Sequence, residues 1–377
     1  MRVLVIGGTG PTGPHLVNGL IARGHDVVIL HGGFHEVEFV QPVEHIHTDP
    51  HFAETLGPAL AGRTFDLVIA TYGRIRVIAD VLKGRTARLI TVSGGAVYAP
   101  PEDPRWGPLG PPIAVAEDSP LHDETHGAQG LPLKIRKTER AVMAMHKAGH
   151  FSATVFRYPM IYGPHAPANP DWSIVRRILD GRRRFVVGDG GLTVLRRGFA
   201  ANVAHALLLA VDKADVAAGR IYNVADDVQH SLRQRVDLIA RALGHEWELV
   251  NVPQQLARKV SPLWVPQRHF AFDTTKLRTE LGYADVVPTA QAIVQSAQWL
   301  CRHPPKAGGE LEKQLGDPFA YDAEDRLMHL AIQSLTEASV VEFPDIGTAH
   351  MYRHPKKPDE DWTPSSNANA SPPKEST

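Results

Sequence analysis

The chain has 377 residues, of which 43% are apolar and 21% charged, the balance of an ordinary globular protein rather than a disordered or fibrous one. Its formal net charge of −1 provides no overall field to attract nucleic acid or an anionic membrane, so we expect neither as a partner. The single cysteine, Cys301, excludes an internal disulfide, and no apolar run approaches the ~20 residues of a membrane helix. A strand pattern begins directly after Met1 and leaves no room for a signal peptide, so we expect a cytoplasmic protein.

The first 92 residues alternate short apolar runs with helical stretches. The segment Pro11–Arg23 carries an apolar stripe and is followed by Gly24, which predicts a helix with a glycine at its end. The runs around it are rich in Val, Ile and Leu and predict strands buried on both faces: Val3–Ile6, Val27–Leu30, Leu67–Ala70 and Leu89–Val92. This order predicts an α/β protein with a Rossmann-type doubly wound parallel sheet.

The rest of the chain predicts a smaller α+β domain and a C-terminal extension. Residues 99–131 are rich in Pro and Gly, and we expect them to form a surface excursion near the mouth of the site. Further predicted elements are the helices Leu131–His146, Trp172–Asp180 capped by Asp171, Leu232–Leu243 capped by Ser231 and Thr289–Cys301, and the strands Ser152–Arg157 and Ile221–Val224.

These elements predict an organisation in four parts. Residues 1–165 form the first domain, with residues 195–212 packing back on it, and residues 166–303 form the second. Residues 304–350 are an extension with one helix at about 320–338. Residues 351–377 are rich in Pro, Lys, Asp, Ser and Asn and poor in apolar side chains, and are expected to be a disordered tail.

Three glycines follow the first strand at regular spacing. Gly7, Gly10 and Gly13 allow a tight turn, close approach of a pyrophosphate to the backbone, and packing of the next helix against the sheet. The N-terminus of that helix would direct N–H groups at the phosphates. The pattern favours dinucleotide binding; the alternative is a plain strand–helix turn without a ligand.

Six short sequence motifs, including the glycine pattern, follow one another along residues 1–303. They are Gly7-x-x-Gly10-x-x-Gly13, Val92–Tyr98, Phe156–Pro164, Val187–Gly190, Ile221–Val224 and Asp273–Tyr283. In this order the chain resembles the extended short-chain dehydrogenase/reductases, the NAD-dependent epimerase/dehydratase family. The resemblance implies a Rossmann domain, a substrate domain, NAD or NADP as cofactor, a small-molecule substrate in the cleft between the domains, and the option of a homodimer.

The resemblance also implies a set of cofactor-binding residues. The second strand ends at His31, where neither the acidic residue typical of NAD binding nor an Arg for the 2′-phosphate of NADP is present, so the choice between them stays open. The expected cofactor residues are Gly7, Thr9, Gly10, Pro11, Thr12, Gly13, His31, Asp49, Ala70, Thr71, Tyr72, Ser93, Lys137 and Tyr158.

The chain departs from the family at its catalytic positions. The family uses a Tyr, a Lys four residues later, and a Ser or Thr that orients the substrate oxygen. With Lys137 as the lysine, the tyrosine position holds Leu133 and the Ser/Thr position holds Gly94. Lys137, Tyr98 and Tyr72 are the catalytic candidates, with Tyr162, His126 and His165 as alternatives. Gly94, His165 and Arg197 are expected to bind substrate.

Two other patterns in the sequence concern possible ligand binding. The spacing His45-x-His47-x-x-x-His51 resembles a metal-ligand pattern, but it also fits the third strand, so we expect no metal. An arginine group, Arg176, Arg177, Arg182–Arg184, Arg196 and Arg197, could contact a phosphate or form a solvated face. The function we expect is an NAD(P)-dependent oxidoreductase, epimerase or dehydratase acting on a hydroxyl- or carbonyl-bearing small molecule. The alternative is a non-catalytic NAD(P)-binding sensor or scaffold.

Overall fold

The computed structural model describes residues 1–127, 129–261, 268–344 and 358. Thirteen strands occur in these ranges: β1 (Arg2–Ile6), β2 (Asp26–His31), β3 (Glu44–His47), β4 (Phe65–Ala70), β5 (Thr86–Gly94), β6 (Ala114–Val115), β7 (Ser152–Tyr158), β8 (Met160–Tyr162), β9 (Arg184–Gly188), β10 (Arg197–Phe199), β11 (Arg220–Asn223), β12 (Glu248–Val252) and β13 (Ala271–Phe272).

Thirteen α-helices accompany the strands in the same ranges: α1 (Gly13–Ala22), α2 (Ala53–Ala59), α3 (Ile75–Val81), α4 (Gly130–Lys147), α5 (Trp172–Leu179), α6 (Ala200–Asp212), α7 (Ala214–Ala217), α8 (Leu232–Ala242), α9 (Gln254–Val260), α10 (Thr275–Leu281), α11 (Thr289–Arg302), α12 (Glu310–Leu315) and α13 (Tyr321–Ala338). Each predicted helix and strand is present, with ends that coincide or differ by at most three residues.

The central sheet has seven parallel strands in the order β11-β7-β5-β4-β1-β2-β3. This confirms the predicted doubly wound parallel sheet. The chain proceeds from β1 through β2 to β3 on one side and through β4, β5, β7 and β11 on the other. The loops after β1 and β4 therefore diverge at the carboxyl edge of the sheet, and a ligand crevice is expected at such a point.

Apolar side chains fill both faces of this sheet. On one face, Leu16 and Leu20 of α1 pack with Leu207 of α6 against β1 and β2. On the other face, Ile78 of α3 and Val142 of α4 are buried against the alternate residues of the same strands. This two-sided burial explains why the strands read as continuous apolar runs.

The two predicted helix caps have different outcomes. Ser231 caps α8 with a complete capping box, in which its hydroxyl accepts from the N–H of Gln234. Asp171 precedes α5 but makes no capping bond. Its carboxylate instead accepts two hydrogen bonds of 2.6 Å from Arg235, because this buried charge requires an opposite charge.

Residues Met1–Met328 form one compact unit and His329–Thr377 a second. The division of the first unit near residue 165 stays a prediction. The predicted disordered tail, apart from residue 358, lies outside the described residues. Within those residues, no helix combines the length and apolar content that a bilayer crossing requires.

Candidate functional site

The turn after β1 is shaped by glycines. Gly7 has φ of +97°, and a Cβ at this position would lie 2.5 Å from Cβ of Tyr72. A Cβ at Gly13 would lie 2.0 Å from the carbonyl oxygen of Gly8, so only glycine allows α1 to begin this close to the turn. Both glycines are therefore required by the protein's own packing.

Gly10 is different because no contact with the described residues requires a glycine there. Its φ is not in the left-handed region, and a Cβ there would meet only the carbonyl oxygen of Gly7, at 3.8 Å. The space above Gly10 opens into a cleft. Thr12 precedes α1 without capping it by its side chain. A pyrophosphate fits this arrangement, since it can approach the Gly10 backbone and the positive end of the α1 dipole. The Gly13 N–H donates to the Gly10 carbonyl and Pro14 has no N–H, so the dipole contributes more here than direct hydrogen bonds from these two residues.

The cleft has a volume of about 1060 Å³, large enough for a dinucleotide or for a small ligand beside one. Of the predicted cofactor and substrate residues, those that line it are Gly7, Thr9, Gly10, Pro11, Thr12, His31, Thr71, Tyr72, Tyr158 and His165. The predicted residues outside this lining are Gly13, Asp49, Ala70, Ser93, Gly94, Tyr98, Lys137 and Arg197.

Lys137 lies on the outer side of α4. Its ammonium group forms an ion pair with Glu124, and its side chain is 44% exposed. The residue of α4 that points toward the Ser/Thr position is Ile135, whose Cδ1 would lie 3.8 Å from a Cβ built on Gly94. The residue four positions before Ile135 is Leu131, so no Tyr–Lys pair arises with either Ile135 or Lys137 in the lysine position.

Ser93, at the end of β5, is engaged in a buried charge network. Its hydroxyl donates to Glu139 Oε1 at 2.6 Å. The Glu139 carboxylate also accepts two hydrogen bonds of 3.0 Å from Arg157, and both partners are almost completely buried. The Ser93 hydroxyl therefore helps to stabilise the buried Glu139 carboxylate, whose charge Arg157 balances.

Tyr98 belongs to the same network. Its hydroxyl donates to Asn223 Oδ1 at 2.6 Å and accepts from Arg157 Nη1 at 2.9 Å. Burial raises the pKa of Tyr98 to about 12, and Arg157 opposes this rise. With its hydroxyl fully used inside the protein, Tyr98 has the contacts of a structural residue, although its catalytic role stays a prediction.

Tyr158, at the end of β7, is the buried phenol of the cleft. Its Oη is shielded from solvent and, within the described residues, has no hydrogen bond of standard geometry. Burial raises the pKa of Tyr158, and the nearby Thr12 side chain opposes this rise. Tyr72, by contrast, is 52% exposed and packs edge-on against His51, which in turn binds the carboxylate of Asp49 at 2.7 Å.

The far end of the cleft is apolar. It is lined by Met160, Ile161, Pro167, Trp172, Trp299, Leu300, Pro305, Leu311 and Leu315. No Lys or Arg is among the described residues that line the cleft. His165 lies here with φ of +62°, a conformation that is unusual for a residue other than glycine, and its ring packs on Trp299.

The C-terminal extension supplies part of this apolar wall. Leu311 and Leu315 belong to α12, which is held in place by Glu312. The Glu312 carboxylate accepts from Trp172 Nε1 at 2.8 Å and from Arg176 at 2.5 Å. The extension therefore shapes the cleft, which no motif in the sequence indicated.

The predicted arginine group divides into paired and unpaired members. Arg176, Arg177, Arg182 and Arg184 form ion pairs with carboxylates, three of them with the extension. Arg197 is buried, and its Nη1 has no hydrogen-bond partner among the described residues. Burial and Arg235 lower the pKa of Arg197 to about 10. The side chain of His126 lies outside the described part of the structure.

Glu36 was not identified from the sequence. The loop after β2 returns this residue to the strand end, where its Oε2 lies 3.9 Å from His31 Nε2 and 3.3 Å from His45 Nδ1. Both His31 and Glu36 line the cleft. Burial lowers the pKa of His31. A sequence pattern could not reveal Glu36 because its approach depends on the path of an irregular loop.

Comparisons with known proteins agree with this architecture. The profile of the NAD dependent epimerase/dehydratase family matches residues 70–225. A Stigmatella aurantiaca protein named 4-hydroxy-2-methyl-3-oxo-4-farnesyl-3,4-dihydroquinoline-1-oxide ketoreductase is 28% identical over 78% of this chain and 95% of its own length. The UDP-glucose 4-epimerase of Mycolicibacterium smegmatis is 24% identical over 79% and 98%.

Solved structures share the fold at low sequence identity. The UDP-glucose 4-epimerase of Thermotoga maritima with UDP-glucose has a TM-score of 0.64 and 17% identity, covering 81% of this chain and all of its own. The dTDP-glucose 4,6-dehydratase of Bacillus anthracis with NAD has a TM-score of 0.63 and 16% identity, covering 81% and 97%. The chain is therefore similar to the NAD dependent epimerase/dehydratase family over residues 70–225 and shares its fold with these solved enzymes.

Proposed function

We propose that this protein binds a nicotinamide dinucleotide in its cleft and reduces a carbonyl group carried on an apolar small molecule. The glycine turn supports dinucleotide binding, because Gly10 leaves space that no described side chain fills. Residues Gly7, Thr9, Thr12, Thr71 and Tyr158 would hold the cofactor along the carboxyl edge of the sheet. The bound nicotinamide would supply the redox chemistry.

The apolar end of the cleft supports the substrate class. A nucleotide sugar carries a diphosphate, which proteins bind with Arg, Lys or helix N-termini. The described lining of the cleft holds no Lys or Arg and is rich in Trp, Leu and Pro. The relative from Stigmatella aurantiaca is named for reduction of a ketone on a farnesylated quinoline, a compound of that apolar kind.

The residues available for proton transfer differ from the usual Tyr–Lys pair. Tyr158 places a shielded phenol oxygen in the cleft without a hydrogen bond of standard geometry, and like any phenol of ordinary or raised pKa it is protonated at neutral pH. A neutral phenol can donate a hydrogen bond to a substrate carbonyl. His165, in its left-handed backbone conformation, is the second candidate because strained residues often occur at functional sites.

The alternative is a protein that binds the dinucleotide without turnover. It is favoured by one observation: α4 presents Ile135, not a lysine, toward Gly94, and neither Leu131 nor Leu133 can transfer a proton. In that case the cleft would sense the redox state of the cofactor. A reductase is favoured by the apolar residues that line one part of the cleft, which a sensor would not require.

Calorimetric titration with NAD(H) and NADP(H) tests the binding step. The described lining of the cleft holds no Lys or Arg to pair with a 2′-phosphate, so we expect NAD(H) to bind more tightly than NADP(H). Gly10→Ala should weaken binding at least tenfold because its Cβ occupies the phosphate approach. Gly57→Ala is the matched control, since a Cβ at this α2 position meets nothing within 4 Å.

Turnover is tested by following the nicotinamide absorbance with aromatic or terpenoid ketones and, separately, with nucleotide sugars. Reduction of the apolar ketones supports the proposal. Tight cofactor binding without turnover of either class supports the sensor. Equal binding of the dinucleotide by the wild type and by Gly10→Ala would contradict the assignment of the cleft.

A further inference from the structure

We propose that His31, Glu36, His45 and His47 form a binding site for a divalent transition metal, with zinc the best suited. The four residues lie where β2 and β3 end, beside the part of the cleft expected to hold the adenosine ribose. One ligand atom from each residue lies within 4.8 Å of the ligand atoms of all the others. Imidazole nitrogens and a carboxylate oxygen are donors that Zn²⁺ prefers.

Strand geometry brings the three histidines together. His45 and His47 are alternate residues of β3, so their side chains lie on the same face of the sheet. The register of β2 and β3 pairs Ile29 with His45 and His31 with His47. Their imidazole rings lie with centroids 4.8–5.9 Å apart. The cluster is therefore built on a rigid part of the fold.

The separations match those of a tetrahedral zinc site. Zinc–ligand distances of ~2.0–2.2 Å place neighbouring ligand atoms ~3.3–3.6 Å apart. His31 Nε2 lies 3.1 Å from His45 Nδ1. Glu36 Oε2 lies 3.3 Å from His45 Nδ1 and 3.9 Å from His31 Nε2, and the other oxygen, Oε1, lies 3.3 Å from His47 Nε2. Small side-chain movements would equalise these distances.

The hydrogen bonds within the cluster leave two acceptor atoms, His45 Nδ1 and a Glu36 oxygen, facing one another. The N–H of Gly33 donates to His31 Nδ1 at 3.2 Å, so neutral His31 carries its proton on Nε2 and donates it to His45 Nδ1. The Glu36 oxygen, 3.3 Å from the same His45 Nδ1, then faces a lone pair without a proton between them. A cation at the centre would satisfy these lone pairs together.

Metal binding at His31 requires its proton to move to Nδ1 and the N–H of Gly33 to turn away. Gly32 and Gly33 are exposed, and two consecutive glycines make such a rotation inexpensive. Four protein ligands would leave no open position, which is typical of a structural zinc site. The metal would then anchor the segment 34–37, which forms one wall of the cleft.

The test is metal titration of the chelator-treated full-length protein without any dinucleotide, so that its result is independent of the proposed function. We expect about one Zn²⁺ per chain by calorimetry and a tetrahedral visible spectrum with Co²⁺. His47→Ala should weaken Zn²⁺ binding at least tenfold and abolish the Co²⁺ spectrum. The His47 side chain is more than half exposed, so this variant should keep the fold, as circular dichroism would verify.

The matched control is His51→Ala. His51 follows the same strand but binds Asp49 and does not belong to the cluster. The His51→Ala variant should bind Zn²⁺ as tightly as the wild type. Equal losses in the two variants, or no stoichiometric binding by the wild type, would overturn the proposal.

Discussion

Ile135 points toward Gly94: a Cβ built on that glycine would lie 3.8 Å from Ile135 Cδ1. This contact places an aliphatic side chain where α4 faces the end of β5, the region in which the family carries its acid/base groups. Lys137 is two residues further along the helix, about 200° around its axis. The predicted absence of a Tyr–Lys pair therefore holds whether Ile135 or Lys137 takes the lysine position.

Lys137→Ala should leave dinucleotide affinity within about twofold of the wild type. The ammonium group already has a carboxylate partner, Glu124, on the exposed side of α4. Surface pairs of this kind contribute little. Calorimetric titration with NADH checks the prediction. A tenfold loss would show that Lys137 reaches the cofactor when it is bound, and would restore its predicted role.

Arg157→Met should lower the free energy of unfolding by about 3–5 kcal/mol, because it leaves the Glu139 carboxylate buried without its partner. Urea denaturation followed by circular dichroism measures the change. Arg184→Met is the control: its pair with Glu248 is half exposed on both sides, so a change below about 1 kcal/mol is expected. Similar losses in both variants would contradict this interpretation of the network.

Asp285 should make the protein less stable as the pH rises from about 4 to about 6. Burial, followed by the nearby Asp226, raises the pKa of Asp285 to about 6, above its ordinary value of 3.8. In that window the native state holds a proton that the unfolded chain has released, so stability is greatest below about pH 4 and is lost as the pH rises through the native pKa.

Asp285→Asn should remove this pH-dependent part of the free energy of unfolding. Because the site is partly solvated, we expect the change in the free energy of unfolding between about pH 4 and pH 6 to differ by about 1–2 kcal/mol between the wild type and the variant. The free energy of unfolding of both proteins, measured across that pH range, gives the comparison. Parallel curves would exclude Asp285 as the titrating group.

Leu311→Ser should raise KM for an apolar ketone several-fold without changing NADH affinity. Leu311 is partly exposed and lines the apolar end of the cleft, so the change removes substrate contact area without opening the core. Leu179→Ser is the control, a leucine of similar exposure on α5 that is not part of the lining. Equal KM values for the two variants would place the substrate elsewhere.

The sequence alone determined the sheet, the glycine turn and the resemblance to the epimerase/dehydratase family. Buried parallel strands require continuous apolar runs, and the turn requires glycine at positions 7 and 13. Both features can therefore be recognised from short stretches of the sequence. Ser231 was likewise predictable as a cap because its partner Gln234 is only three residues away.

Tertiary structure decided the contents of the site. Glu36 reaches His31 through the path of a loop, and Leu311 and Leu315 reach the cleft because Glu312 binds Trp172 from 140 residues away. The orientation of α4, which turns Ile135 inward and Lys137 outward, follows from how the helix packs on the sheet. Contacts between residues distant in sequence leave no local pattern, so only the folded chain reveals them.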